Sequence, residues 1–282
     1  MINANQNQPA RFRWLLLLLI LLGVGNMSWK MLFASEPKPE TTIILPSASG
    51  DPKVEKDADK ILKAMSDHLT KMQTFSYKSK GTFEVVDKDN KKTQQTYNSE
   101  VYVKRPNKMR VNAKNENRDA SVYYDGKQFT VLGKNANMYA QAAAPPTLDA
   151  ALDSARERFL MDPPGSDLIY TYPYKGLMEL VTEGKELDEE RVNGKSCKHL
   201  AFKSKEVDWE IWVQKDGEPL PLKYKIISKN DPGKPEFTVE FSDWKQGSGA
   251  EFADQQFAFT APANAKKIPF MRLGEAPKQA KK

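Results

Sequence analysis

The side chains able to carry chemistry in this 282-residue chain are few and scattered. His68 and His199 stand far apart in the sequence, so neither has a neighbour with which to build a metal site or a triad. Cys197 is the single cysteine, which excludes a disulfide framework and any Cys-rich zinc or iron–sulfur centre. It reads instead as a small packed apolar residue. No glycine-flanked nucleophilic serine, no helix with two histidines around a glutamate and no phosphate-binding glycine loop is present. Gly247-Ser248-Gly249 is too short for such a loop and no helical pattern follows it. Glu186, Asp188, Glu189 and Glu190 cluster near a turn, but a calcium loop alternates its ligands around a glycine corner, which is missing. The cluster therefore reads as a solvated face. No catalytic residue, metal ligand or cofactor is assigned, and the chain reads as non-enzymatic.

Charge narrows the choice further. Of the net +6, residues 1–34 carry +3 and residues 266–282 carry +5, so the body between them carries −2. A nucleic-acid binder places its positive field on the folded body, and that class is excluded. Thirteen Phe, ten Tyr and five Trp supply a bulky core, which excludes a wholly disordered chain.

The chain opens with an export pattern. Arg11 and Arg13 precede Trp14–Leu22, an unbroken apolar run ended by Gly23-Val24-Gly25. The run is shorter than the roughly 17–25 residues of a spanning helix. Leu32-Phe33-Ala34 makes a weak cleavage site, so residues 1–34 read either as a removed signal peptide or as an inner-membrane anchor formed by residues 14–29. Both place the rest of the chain in the periplasm. Residues 35–56 are rich in Pro, Ser and charge and read as a linker.

The elements that must position any site follow. Ile61, Leu62, Met65, Leu69 and Met72 fall on one helical face, with Asp57 or Asp59 as cap. From Phe75 the period changes to two, and Phe75–Val86, a turn at Asp87–Asn90 and Lys92–Lys104 read as a long hairpin. Short strands are expected at 108–113, 120–124, 128–132 and 138–141, a helix at 147–160 with Thr147 as cap, and irregular or helical pieces within 167–181. Strands return at 187–192, 197–203, 208–214, 222–228 and 236–244, with turns at Asn193-Gly194 and Asp216-Gly217. Short connections make the neighbours antiparallel. The fold class is α+β: a large curved antiparallel sheet of about ten or eleven strands, a half-barrel, with two or three helices over its concave face.

Three stretches in this order resemble the periplasmic lipoprotein-carrier superfamily of LolA/LolB-like proteins. They are Tyr124-Asp125-Gly126-Lys127-Gln128-Phe129-Thr130-Val131; Trp209-Glu210-Ile211-Trp212-Val213 through Leu220-Pro221-Leu222-Lys223-Tyr224; and Phe257-Ala258-Phe259-Thr260-Ala261-Pro262-Ala263-Asn264-Ala265. Within that fold the chain resembles a predicted periplasmic family of unknown function, over roughly residues 57–270. The resemblance implies an eleven-stranded half-barrel, a helical lid and an apolar groove for acyl chains. The chain is longer than the carriers and has an extended linker, so the resemblance carries the fold and not the carriers' task.

The organisation expected is thus a signal or anchor over 1–34, a linker over 35–56, a half-barrel over 57–270 and a basic tail over 271–282. The function expected is to hold a lipid, an acyl chain or a lipoprotein-like ligand in the half-barrel. The alternative is a periplasmic interaction or sensor protein that binds a polypeptide or membrane-protein partner on the same face. A hydrolase using scattered Asp and Glu is a minor third. Candidate cavity residues are Val101, Val103, Phe129, Val131, Trp209, Ile211, Val213, Tyr224, Ile226, Phe237, Val239 and Phe241; candidate lid residues are Ile61, Met65, Leu69, Leu148, Leu152 and Phe159.

If Trp14–Leu22 directs export, replacing Leu17 and Leu18 with Arg will hold the protein in the cytoplasm, because each charge costs about 2.5–3.5 kcal/mol at the centre of an inserting segment. A reporter fusion active only after export reads the outcome, and an unchanged signal contradicts the assignment.

Overall fold

The computed structural model describes residues 52–270 apart from Lys88, Leu160, Asp162 and Pro164. The export segment, the linker up to residue 51 and the tail over 271–282 lie outside the described residues. The chain runs β1 (Lys53–Val54), α1 (Lys56–Lys71), β2 (Thr74–Val86), β3 (Lys92–Lys104), β4 (Lys108–Lys114), β5 (Asp119–Tyr124), β6 (Gln128–Gly133), β7 (Met138–Ala143) and α2 (Leu148–Phe159). A 3₁₀ turn (Ser166–Ile169) and α3 (Pro173–Met178) lead to β8 (Val181–Glu186), β9 (Glu190–Val192), β10 (Lys195–Ser204), β11 (Val207–Gln214), β12 (Pro221–Ser228) and β13 (Glu236–Gln246). Two 3₁₀ turns (Ala250–Phe252 and Asp254–Gln256) and β14 (Lys266–Lys267) close it.

All fourteen strands form one open sheet in the order β1-β8-β10-β11-β12-β13-β2-β3-β4-β5-β6-β7-β14, with β9 beside β10. Eleven of them have six or more residues, which is the expected number; β1, β9 and β14 are two- or three-residue additions. Together with the three α-helices this is the α+β class expected. The spine is the β2–β3 hairpin, whose register runs from Thr74 opposite Lys104 to Val86 opposite Lys92 without a break. Its turn is fixed by Asp87 Oδ1, which accepts from the backbone N–H groups of Asp89 and Lys91, both at 2.9 Å.

Several local expectations need correction. Neither Asp57 nor Asp59 caps α1; Glu55 holds the cap position, and Asp59 accepts a hydrogen bond from the Tyr174 hydroxyl. Residues 53–55, expected in the linker, belong to the sheet edge: β1 pairs with β8, and Glu55 N–H donates to Gly184 O at 2.9 Å. The pairings β1–β8 and β14–β7 are parallel, not antiparallel. Residues 181–186, where no strand was expected, form β8, while only 190–192 of the expected 187–192 strand form β9. Gly184 hid this strand, since glycine weakens a strand pattern. It is there because a Cβ would lie 2.6 Å from the Phe202 ring and 3.0 Å from Val54.

The outer face of the sheet is held by two devices. At one end residues 250–268 wrap over β3–β7. Phe252 and Phe257 are buried, and the Phe259 ring lies 5.4 Å from Tyr123 and 5.0 Å from Tyr139. Lys104 and Lys108 pair with Asp254 at 2.7 and 2.6 Å and hold its carboxyl down to about 2. The Phe257–Ala265 motif is thus an outer strap.

At the other end β9 is clasped to β10 and β11. His199 Nε2 lies 2.8 Å from Glu210 Oε2 and its Nδ1 lies 3.1 Å from Glu190 Oε1. Its ring stacks on Trp212 at 4.0 Å, and the Trp212 indole N–H donates to Glu190 at 3.0 Å. The acidic cluster is therefore paired rather than merely solvated: Glu186 and Glu189 both meet Lys198 at 2.8 Å, and Glu189 also meets Lys215.

The strap predicts that Phe257→Ala costs about 3–5 kcal/mol, as for other fully buried Phe residues, read from the urea midpoint; a shift near that of a surface substitution would show the strap to be peripheral. The clasp predicts a pH signature. The hydrogen bond from His199 holds the Glu210 carboxyl below its usual range. That contribution is present above the unfolded value of about 4.3 and is lost as pH falls through the lowered folded value. Glu210→Gln will therefore be less stable near neutral pH and lose less stability on acidification than the wild type. Parallel stability–pH curves would contradict the clasp.

Candidate functional site

Alternation along each strand and the register between strands define the inner face. Phe75, Tyr77, Ser79, Gly81 and Phe83 of β2 stand opposite Val103, Val101, Ser99, Tyr97 and Gln95 of β3. Val101 continues to Val111 and Val122, and Val103 to Met109 and Tyr124. Phe129 faces Tyr124 and Val131 faces Val122. On the other half Phe241, Val239 and Phe237 face Ser79, Gly81 and Phe83. Tyr224 and Ile226 follow beside Val239 and Phe237, then Ile211 and Trp209, then Leu200 and Phe202. Val213 lies past a register shift, beside Pro221.

The twelve candidate cavity residues thus share one face. Ten are buried, while Val131 and Ile226 are half-buried. Most form a single apolar cluster with Met65, Leu69, Leu148 and Leu152 of the helices. Phe202 stacks on Trp209 at 4.2 Å, and Trp209 meets Tyr224 edge-on at 5.8 Å. Two lid candidates differ from expectation. Ile61 is half-buried at the rim of the cluster. Phe159 is buried but lies outside the main cluster and packs on Phe270 at 4.3 Å.

The cover is made of short pieces joined to the sheet by side chains. α1 packs on β8, β10 and β11 and against α3. Arg105, at the end of β3, is the pin that sequence reading missed. Its Nη2 donates to the Tyr170 carbonyl at 2.9 Å and its Nε to the Met72 carbonyl at 3.2 Å. The guanidinium also lies 5.5 Å over Phe75. Ser66 of α1 accepts from Tyr174 N–H at 2.8 Å, and Asp149 of α2 accepts from Thr171 N–H at 2.9 Å. A buried arginine after a strand has no sequence signature beyond its type, so the pin was not readable in advance.

An open groove of about 510 Å³ is lined by Lys78, Lys80, Asn98, Glu100, Lys114 and Glu240 among others, and by none of the candidate cavity residues. The charged positions alternate with the inner set, so the groove belongs to the polar outer side, although Ser79 and Ser99 also reach it. Among the described residues no group of three or more His, Cys, Asp or Glu is placed to hold a metal ion, and no helix is long and apolar enough to cross a membrane.

Solved structures with a similar arrangement include an uncharacterized conserved protein from Thermus thermophilus, at 14% identity and TM-score 0.45, covering 76% of this chain and 99% of that one. LprF from Mycobacterium bovis is 12% identical with TM-score 0.43, covering 77% and 100%. A LolA-superfamily protein from Nitrosomonas europaea is 11% identical with TM-score 0.36, covering 72% and 97%. No curated protein matches the sequence. The model of one family, described as predicted periplasmic protein (DUF2092), matches residues 58–271 and so takes in the sheet, its helical cover and the outer strap. The chain belongs to this family of periplasmic proteins.

Proposed function

We propose that the protein is a non-enzymatic periplasmic binding protein that receives an acyl chain, as a free lipid or as part of a lipidated partner, on the inner face of its sheet. The observation that carries this reading is the way that face is closed. A continuous aromatic and aliphatic surface spans β10 through β6, yet among the described residues no second sheet covers it. Short helices and a 3₁₀ turn do, tied down by a handful of side-chain hydrogen bonds. Such a cover separates from the sheet without breaking any strand pairing. An acyl chain then replaces the lid's apolar contacts at about 0.8 kcal/mol per buried methylene. The domain over residues 57–270 is the binding unit in this reading, with residues 1–34 directing or anchoring it.

Binding of a fluorescent fatty acid to the wild type and to Arg105→Gln tests the proposal. The wild type will bind saturably. Removing the pin will speed association and lower the urea midpoint, since hydrogen bonds to a charged group contribute about 1.5–3 kcal/mol. A wild type that never binds the probe, with a variant that is only less stable, would leave the inner face as a closed core and end the proposal.

A further inference from the structure

Two tyrosines on the inner face carry hydroxyl groups that make no hydrogen bond within the described residues. Tyr77 of β2 stands opposite Val101, and Tyr97 of β3 stands opposite Gly81, with the Ser79–Ser99 pair between them. Tyr77 is 5% exposed and Tyr97 8%. The rings are well packed. Tyr77 lies 4.5 Å from Trp244 and edge-on to Phe241 at 5.5 Å; Tyr97 lies 6.4 Å from both Phe83 and Phe237.

Their hydroxyls differ from those of the other tyrosines nearby. Tyr124 donates to the Pro145 carbonyl at 2.6 Å, Tyr170 to Asp153 at 2.9 Å, and Tyr174 to Asp59. Neither Tyr77 nor Tyr97 has a hydrogen-bond partner for its hydroxyl among the described residues. Neither hydroxyl oxygen is among the fully enclosed atoms without a partner, so each faces accessible space at the packed inner face, while the adjoining inward positions 75, 83, 237 and 241 are all Phe. Packing alone is satisfied by Phe at these two positions as well.

The floor beside the two rings is low. A Cβ at Gly81 would lie 2.1 Å from Tyr97 Cε1 and 2.6 Å from its hydroxyl, so the Tyr97 ring lies flat across β2. Ser79 and Ser99 satisfy each other, Oγ to Oγ at 2.7 Å, and present no long side chain. Burial raises both phenols far above their ordinary range, and Tyr97 raises Tyr77 further. Both are therefore protonated donors at any physiological pH, with no acceptor among the described residues.

We infer that Tyr77 and Tyr97 form the polar end of the acyl site and donate hydrogen bonds to the carbonyl oxygen of the ligand's acyl group, a carboxylic acid or an ester, seated over the Ser79–Ser99 pair between them. The inference rests on the acyl-binding reading above and adds to it the anchor that orients the chain.

Diphenylhexatriene, a probe without oxygen, separates the two claims. It is bound to the wild type and to the Tyr77→Phe/Tyr97→Phe double variant, then displaced with lauric acid and with methyl laurate. Equal probe binding by both proteins is expected, with at least a tenfold weaker displacement from the double variant. Weakening confined to lauric acid identifies a free acid as the ligand, and weakening of both identifies any acyl carbonyl. Unchanged displacement by both ligands overturns the anchor and leaves the acyl-binding face standing. A wild type that binds neither probe nor laurate removes the face and the anchor with it. Thermal unfolding without ligand gives an independent reading: each single Tyr→Phe variant will match or exceed the wild-type Tm. A lowered Tm would show that the hydroxyl is partnered inside the fold and would overturn the assignment.

Discussion

An open sheet with an aromatic face must cover that face, and everything else in this molecule follows from how it does so. Each inward Phe, Trp or large aliphatic side chain gains about 1.5–3 kcal/mol on leaving water, so the inner surface of β10 through β6 is the main source of stability. A sandwich meets the same need with a second sheet. Here the cover is a helix, two shorter helices and a turn, contributed by the segments before β2 and between β7 and β8. The sheet edges end in two-residue parallel strands, β1 and β14, rather than in a closed barrel. A cover of this kind is as apolar beneath as the sheet it meets, yet it shares no strand pairing with it.

The polar contacts arrange themselves around that division. On the outer face they are numerous and redundant: lysines alternate with carboxylates, the strap is pinned at Asp254, and the clasp joins Glu190, His199 and Glu210. On the inner face they are few and specific. Arg105 joins the end of α1 to the segment after the 3₁₀ turn, and Ser66 joins α1 to α3. The serine pair on the sheet floor satisfies itself. Against that economy the hydroxyls of Tyr77 and Tyr97 stand out, with no hydrogen-bond partner among the described residues.

Much of this was legible in the sequence, for a physical reason. Period-two alternation over Trp209, Ile211 and Val213 or Phe237, Val239 and Phe241 survives into the structure because those strands bury one face only. The face of α1 was legible because Leu62, Met65 and Leu69 repeat at helical spacing. Trp212, in contrast, sits on the outer set and is buried all the same, under His199 and beside Lys223. Its burial depends on a cross-strand partner that alternation does not reveal. Strand β8 was hidden by Gly184, which serves packing rather than chain reversal. Alternation places Tyr97 on the face of Val101 and Val103, but whether a hydroxyl finds an acceptor depends on all the residues above it. That is a property of the folded whole, and no local pattern encodes it.

Native mass spectrometry of the full chain extracted from membranes tests the central claim most directly. If the lid closes over an acyl-binding face, a fraction of the protein will carry the extra mass of an acyl lipid, which is released when the chain is unfolded. Protein that shows only its polypeptide mass, and still does so after incubation with a total lipid extract, would mean that the inner face is a sealed core.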